Sequence, residues 1–169
     1  MGADSSYYLT ALMLFLPLLD NNQRQLLLNI NKRQIILWSF ILIMIGLLVI
    51  ISATKLLVVI SIICLTALPE EWFFRRYLQT GLNSYFKKTS TLKLIPSSVL
   101  AIVSSSVIFT TLHIPSQGYL GLLVFIPSLF FGYIYQLKQD LIFVILLHSL
   151  FNLFFLVFIK DMYLVWFQI

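Results

Sequence analysis

The chain has 169 residues, of which 60% are hydrophobic and 10% charged, with a net charge of +5. That balance, with a mean hydropathy of +0.99, excludes an ordinary soluble domain and describes a polytopic membrane protein of one domain, whose solvent is the bilayer. The basic residues fall in short loops, where they set topology and meet anionic headgroups; no nucleic-acid partner is implied.

Six apolar segments are read in chain order. Tyr7 to Leu19 is short and interrupted by Pro17. Gln34 to Thr54 is long enough to span by itself. The third starts near Leu56 and runs through Pro69 towards Tyr85, and the fourth, Leu94 to His113, is expected to be stopped by Pro115. Tyr119 to Leu137 and Leu141 to Ile159 complete the set, and the aromatic tail Met162 to Ile169 suits the membrane interface. The fold class expected is all-α: a polytopic membrane helix bundle of about six transmembrane helices, one domain over 1–169 with a motif-bearing core at about 56–159. The single cysteine, Cys64, lies in an apolar run, where packing is its expected role. Met1-Gly2-Ala3-Asp4-Ser5-Ser6 fits the loose N-myristoylation pattern, but the topology puts this end outside the cytoplasm.

Lys and Arg orient the chain. The loop Asp20 to Arg33 carries Arg24, Lys32 and Arg33; the next loop on that side carries Lys87, Lys88 and Lys93, and Lys138 ends the fifth segment. The opposite side has Lys55 and Lys160. The basic loops are therefore expected in the cytoplasm and both termini outside. Counting back from the Lys87 to Lys93 loop gives Glu70 and His113 similar depths, which favours a long third helix kinked at Pro69.

The ionisable residues of the apolar runs are few and grouped. Glu70 and Glu71 are adjacent, and a carboxylate at such depth costs several kcal/mol unless paired or placed in a wet cavity. Glu71 and Arg75 are four apart in the order that favours an ion pair on one helix face. Glu70 then projects about 100° away. The same spacing also fits a structural clamp in which both glutamates pair with Arg75 and Arg76. Phe109 and His113 are four apart, as are His148 and Asn152. The latter two present an imidazole and a carboxamide to one target, as an oxyanion site requires, or act as interhelical glue. Glu70 with His113 could activate a water. His113, His148 and a glutamate could instead hold a metal, though there is no HExxH and neither histidine has a local ligand partner. A Ser/His/Asp mechanism fits less well, with no nucleophile elbow and Asp140 in a loop.

Three stretches carry a resemblance. Glu70-Glu71-Trp72-Phe73-Phe74-Arg75 reads EExxxR, Phe109-Thr110-Thr111-Leu112-His113 reads FxxxH, and His148-Ser149-Leu150-Phe151-Asn152 reads HxxxN. In that order they resemble the signatures of the CPBP family, the CAAX-protease and bacteriocin-processing membrane proteins also called Abi, over about Leu65 to Phe158. The resemblance implies a glutamate-dependent intramembrane endopeptidase. Glu70 would be the general base, His113 its partner on the water, and His148 with Asn152 the oxyanion site. Glu71, Arg75 and Phe109 would have supporting roles, and no cofactor or metal would be needed. The expected setting is a bacterial cytoplasmic membrane, and the expected substrate a membrane-associated peptide or protein cut near its C-terminal or anchored part, such as a C-terminal sorting signal. Glu70, His113, His148 and Asn152 would then meet in one cavity of the bundle. Two other classes compete. A bacteriocin-immunity or partner-binding protein would not need all four residues, and a transporter would show inverted repeats, which the chain lacks.

Overall fold

A computed structural model describes residues 3–19, 32–52, 56–89 and 95–159. They are helical almost throughout, with no strand among the described residues, as expected of an all-α membrane protein whose backbone must satisfy itself within each segment. Met1, Gly2, most of the loop from Asp20, Lys55, Lys93, Lys160 and the aromatic tail from Met162 lie outside the described residues.

Helix α1 is Ala3–Phe15 and passes into a 3-10 turn, Leu16–Leu19, that buries Pro17. Helix α2 is Lys32–Ser52. Helix α3 is the long element Leu56–Thr89. Helix α4 is Ser97–Gln117, followed by a 3-10 segment, Gly118–Val124, and by α5, Phe125–Lys138. Helix α6 is Leu141–Phe154 and ends in a π turn, Phe155–Ile159. Four helical stretches are long and apolar enough to cross a bilayer: Gln34–Ser52, Leu56–Thr89, Ser97–Lys138 and Leu141–Phe158. The first apolar segment of the sequence is the shorter helix Tyr8–Leu19, and the fourth and fifth share the stretch Ser97–Lys138.

Three local outcomes matter. First, Pro115 does not stop α4, which runs on to Gln117. A proline this near a C-terminus removes one backbone bond; the true end is Gly118, whose φ of 62° lies where a Cβ is disfavoured. Second, α3 stays helical through Pro69 by widening. Proline has no N–H for the Leu65 carbonyl and crowds it, and the preceding turn is π, with Leu68 N–H reaching Ile63 O. A second π stretch, Trp72–Gln79, follows the short α-helical Leu68–Glu71. Third, Cys64 is exposed rather than packed: it sits in the π turn Ile62–Ala67, which carries it to the outer surface with Leu65.

The chain divides into two compact units, residues 1–27 with 69–141 and residues 28–68 with 142–169. In the first, the π stretch Trp72–Gln79 is the hub: α1, its 3-10 turn, α4 and α5 all contact it. Met13, Phe74 and Phe109 form a buried cluster there, with Leu9, Phe73, Leu78 and Val124 packed on it. In the second, α2 buries Ile41 and Ile45, one turn apart, and presents Ile36, Phe40, Ile43 and Ile50 outward, an apolar surface that lipid would cover. Helix α6 buries Val144, Ile145, Leu146 and Leu153.

Candidate active site

The first unit holds Glu70, Glu71, Arg75, Phe109 and His113; the second holds His148 and Asn152. In the first, the chemistry is built on the π stretch of α3. Glu71 and Arg75 are both fully buried, and Arg75 Nε donates to Glu71 Oε2 at 2.9 Å. Arg75 Nη2 donates to Ser128 Oγ on α5, also at 2.9 Å. One turn on, Gln79 Nε2 donates to the Gly132 carbonyl at 3.0 Å. Glu71, Arg75 and Gln79 thus form a ladder of buried polar groups at four-residue steps, tying α3 to α5. A guanidinium this deep is tolerable because a carboxylate and a hydroxyl meet it directly.

Gly132 leaves room for a close approach at that junction. A Cβ there would meet Gln79 Oε1 at 3.0 Å, Ile102 Cγ2 at 3.1 Å and Arg75 Nη1 at 3.2 Å. Sequence reasoning missed Gln79, Ser128 and Gly132. Gln79 had a signal, since it stands four residues beyond Arg75 as Arg75 stands beyond Glu71; Ser128 and Gly132 had none.

Aromatic stacking carries the ladder to His113. The Arg75 guanidinium carbon lies 5.8 Å from the Phe109 ring centre, and Phe74 meets Phe109 edge-on at 4.8 Å. The Phe109 ring lies against His113, with centroids 4.3 Å apart. His113 Nδ1 is 2.8 Å from the Phe109 carbonyl oxygen. A carbonyl oxygen only accepts, so this bond needs the proton on Nδ1. In the neutral ring Nε2 is then the acceptor, turned to receive a hydrogen bond. Behind His113, Gly121 of the 3-10 segment comes so close that a Cβ there would lie 2.9 Å from the His113 carbonyl carbon and 3.0 Å from its oxygen. Glu70, one residue before the ion-paired Glu71, is half-buried.

In the second unit His148 is 6% exposed and Asn152 half-buried, one turn apart on α6. Between them Ser149 donates its hydroxyl to Ile145 O at 2.8 Å, satisfying itself within the helix. Within neither unit do three His, Cys, Asp or Glu side chains of the described residues gather as a metal-ligand set.

A family model described as type II CAAX prenyl endopeptidase, Rce1-like, matches residues 50–154. The chain belongs to the Rce1-like family. No curated protein and no solved structure matches it. The matched region is well over half of the chain and takes in every motif from Glu70 to Asn152. With its four spanning stretches, this Rce1-like chain is an integral membrane protein of a protease family, and its setting is a membrane-associated peptide and the surrounding lipid.

Proposed function

We propose that this protein is a glutamate-dependent intramembrane endopeptidase that cuts a peptide bond near the C-terminal, membrane-anchored part of its substrate, a bacterial C-terminal sorting signal being a substrate of this type. The observation that carries the reading is the hydrogen bond from His113 Nδ1 to the Phe109 carbonyl, which leaves Nε2 as an acceptor for a water. Glu70 takes one proton from that water while Nε2 of His113 accepts a hydrogen bond from the O–H that remains. The oxygen forms a bond to the carbonyl carbon of the substrate, and the electron pair of the C=O moves onto oxygen. His148 and Asn152 donate to that oxyanion. Glu70, now a carboxylic acid, returns its proton to the departing amine as the C–N bond breaks. The Glu71–Arg75 pair, held by Ser128 and stacked on Phe109, fixes the helix that carries Glu70. No metal takes part: a carboxylate and an imidazole suffice to activate and orient water.

The test is Glu70→Gln in purified protein in lipid nanodiscs. The amide keeps the shape but cannot take the proton. Cleavage of a farnesylated peptide ending in a CAAX sequence should disappear while melting temperature stays near that of the parent. Full cleavage by the folded variant would remove Glu70 from the role of base.

A further inference from the structure

Two arginines stand side by side on α3 and are met differently. Arg75 is fully buried and bonded to Glu71 and Ser128. Arg76 is half-buried, and its Nε and Nη2 are buried with no hydrogen-bond partner among the described residues. Of its three guanidinium nitrogens, Nη1 is the one that reaches the surface. The other faces of this stretch are taken. Glu71, Arg75 and Gln79 are tied to one another or to α5, and Phe74 and Leu78 belong to the cluster with Met13 and Leu9 of α1. Arg76 is two residues from each of Phe74 and Leu78, on the opposite side of the helix, between Trp72 one turn before it and Thr80 one turn after. Its depth follows from length. At about 1.5 Å per residue the 34 residues of Leu56–Thr89 run about 51 Å, well beyond a hydrocarbon core of about 30 Å. The end that leaves the core is Thr80–Thr89, which carries Asn83, Ser84, Lys87 and Lys88. Arg76 stands one turn before that polar end, at a level from which a basic side chain snorkels to lipid phosphates, and Trp72 and Tyr77 are of the types enriched there.

We propose that Arg76 holds one anionic phospholipid: Nη1 donates to a phosphate oxygen of a lipid in the leaflet on the Lys87 and Lys88 side, lodged against the Trp72 to Thr80 face of α3. A cation with two nitrogens shut off from water and unbonded has lost hydration without gaining a counter-charge. A phosphodiester supplies that charge through a charge-assisted hydrogen bond, and a guanidinium is the side chain best suited to it. An anionic lipid serves better than a zwitterionic one, which brings its own cation with it. The other anion within reach of a membrane protease is a substrate carboxylate, and the helix turns Arg76 away from it. Glu70 precedes the Glu71–Arg75 face by one residue and Arg76 follows it by one, so the two project to opposite sides. An anion on Arg76 therefore lies away from the bond at which Glu70 would act. The lipid site stands independently of the proteolytic reading.

The test uses the full chain in nanodiscs of phosphatidylcholine with phosphatidylglycerol added. Native mass spectrometry of the released protein should show a single phosphatidylglycerol retained in preference to phosphatidylcholine, and that lipid should raise the melting temperature. Arg76→Gln should weaken the retention about ten- to a hundredfold, as loss of one hydrogen bond between charged groups implies. Arg76→Lys, which keeps the charge, should lose less. Lys87→Gln combined with Lys88→Gln removes surface attraction alone and should leave the lipid in place. Phosphatidylglycerol bearing a diazirine on its headgroup should crosslink to residues 72–80 of the parent, which reads the site without any variant. Equal retention of both lipids by the parent, crosslinks confined to residues 87–93, or lipid lost from the double lysine variant but not from Arg76→Gln overturns the proposal. Inorganic phosphate that stabilises the parent in detergent as well as phosphatidylglycerol does would make this a site for a free anion and overturn it. A KM for the farnesylated peptide raised by Arg76→Gln in pure phosphatidylcholine, with phosphatidylglycerol retention unchanged, would assign Arg76 to the substrate and overturn it too.

Discussion

Gly121→Ala puts one methyl group against the backbone that carries His113. The added Cβ would stand 2.9 Å from the His113 carbonyl carbon, against an ordinary contact of 3.4 Å or more, so the two segments must part by about half an ångström. Nothing flexible can give way, since the neighbours are the His113 carbonyl and the Ile114 nitrogen, both backbone. His113 is also held by its bond to Phe109 O and by the Phe109 ring, so its peptide and its imidazole move together. A misplacement of 1 Å in an active site costs roughly a hundredfold, so about half of that should lower kcat by roughly tenfold. Overpacking should also lower stability by about 1–3 kcal/mol. The matched control is Gly81→Ala. No atom lies within 4 Å of a Cβ there, and the position is helical, so the variant should keep full turnover and gain up to about 1 kcal/mol. Both would be assayed for turnover per folded molecule on the farnesylated peptide and for melting temperature in nanodiscs. A Gly121→Ala protein with kcat within twofold of the parent would refute the argument that this contact fixes the catalytic imidazole.

Glu71→Gln should destabilise the protein by about 3–5 kcal/mol, read from its melting transition, because it leaves the buried Arg75 charge without a counter-charge. Ser128→Ala should cost less, about 1.5–3 kcal/mol, for one hydrogen bond to a charged donor. Asn152→Ala should lower kcat roughly a hundredfold with little change in KM, by analogy with loss of one oxyanion donor; lower stability with normal turnover per folded molecule would make Asn152 structural glue. Activity should survive exhaustive treatment with EDTA and phenanthroline. Stoichiometric zinc whose removal and return abolish and restore cleavage would establish a metalloprotease instead.

What could be read from the sequence was whatever depends on one helix at a time. The all-α class follows from apolar runs of spanning length. The extension of α3 past Arg75 follows from counting back from Lys87, and the Glu71–Arg75 bond from a spacing of four. What could not be read depends on neighbours far along the chain. Arg75 to Ser128 and Gln79 to Gly132 each span 53 positions, and periodicity gives a face without naming what lies opposite it. The end of α4 was misplaced because proline is the louder breaker, whereas one residue's φ at Gly118 decides the turn. Cys64 was misjudged because an apolar run was read as a packed one, whereas in a membrane protein such a run also supplies the outward face on which Cys64 lies. The close approach of Gly121 was hidden for a simpler reason: it depends on a few ångströms of space.

The Glu71–Arg75 bond has a consequence for how the chain enters the membrane. An arginine at the centre of a transmembrane helix costs about 2.5–3.5 kcal/mol on insertion. Here its counter-charge lies one turn earlier in the same helix, so the two can neutralise each other as soon as that turn forms, before α4 or α5 has been synthesised. The bonds to Ser128 and Gly132 can form only after α5 emerges. Helix α3 can therefore leave the translocon with the Glu71 and Arg75 charges already paired, and the later helices come at that turn to a ready-made dipole rather than to a naked cation.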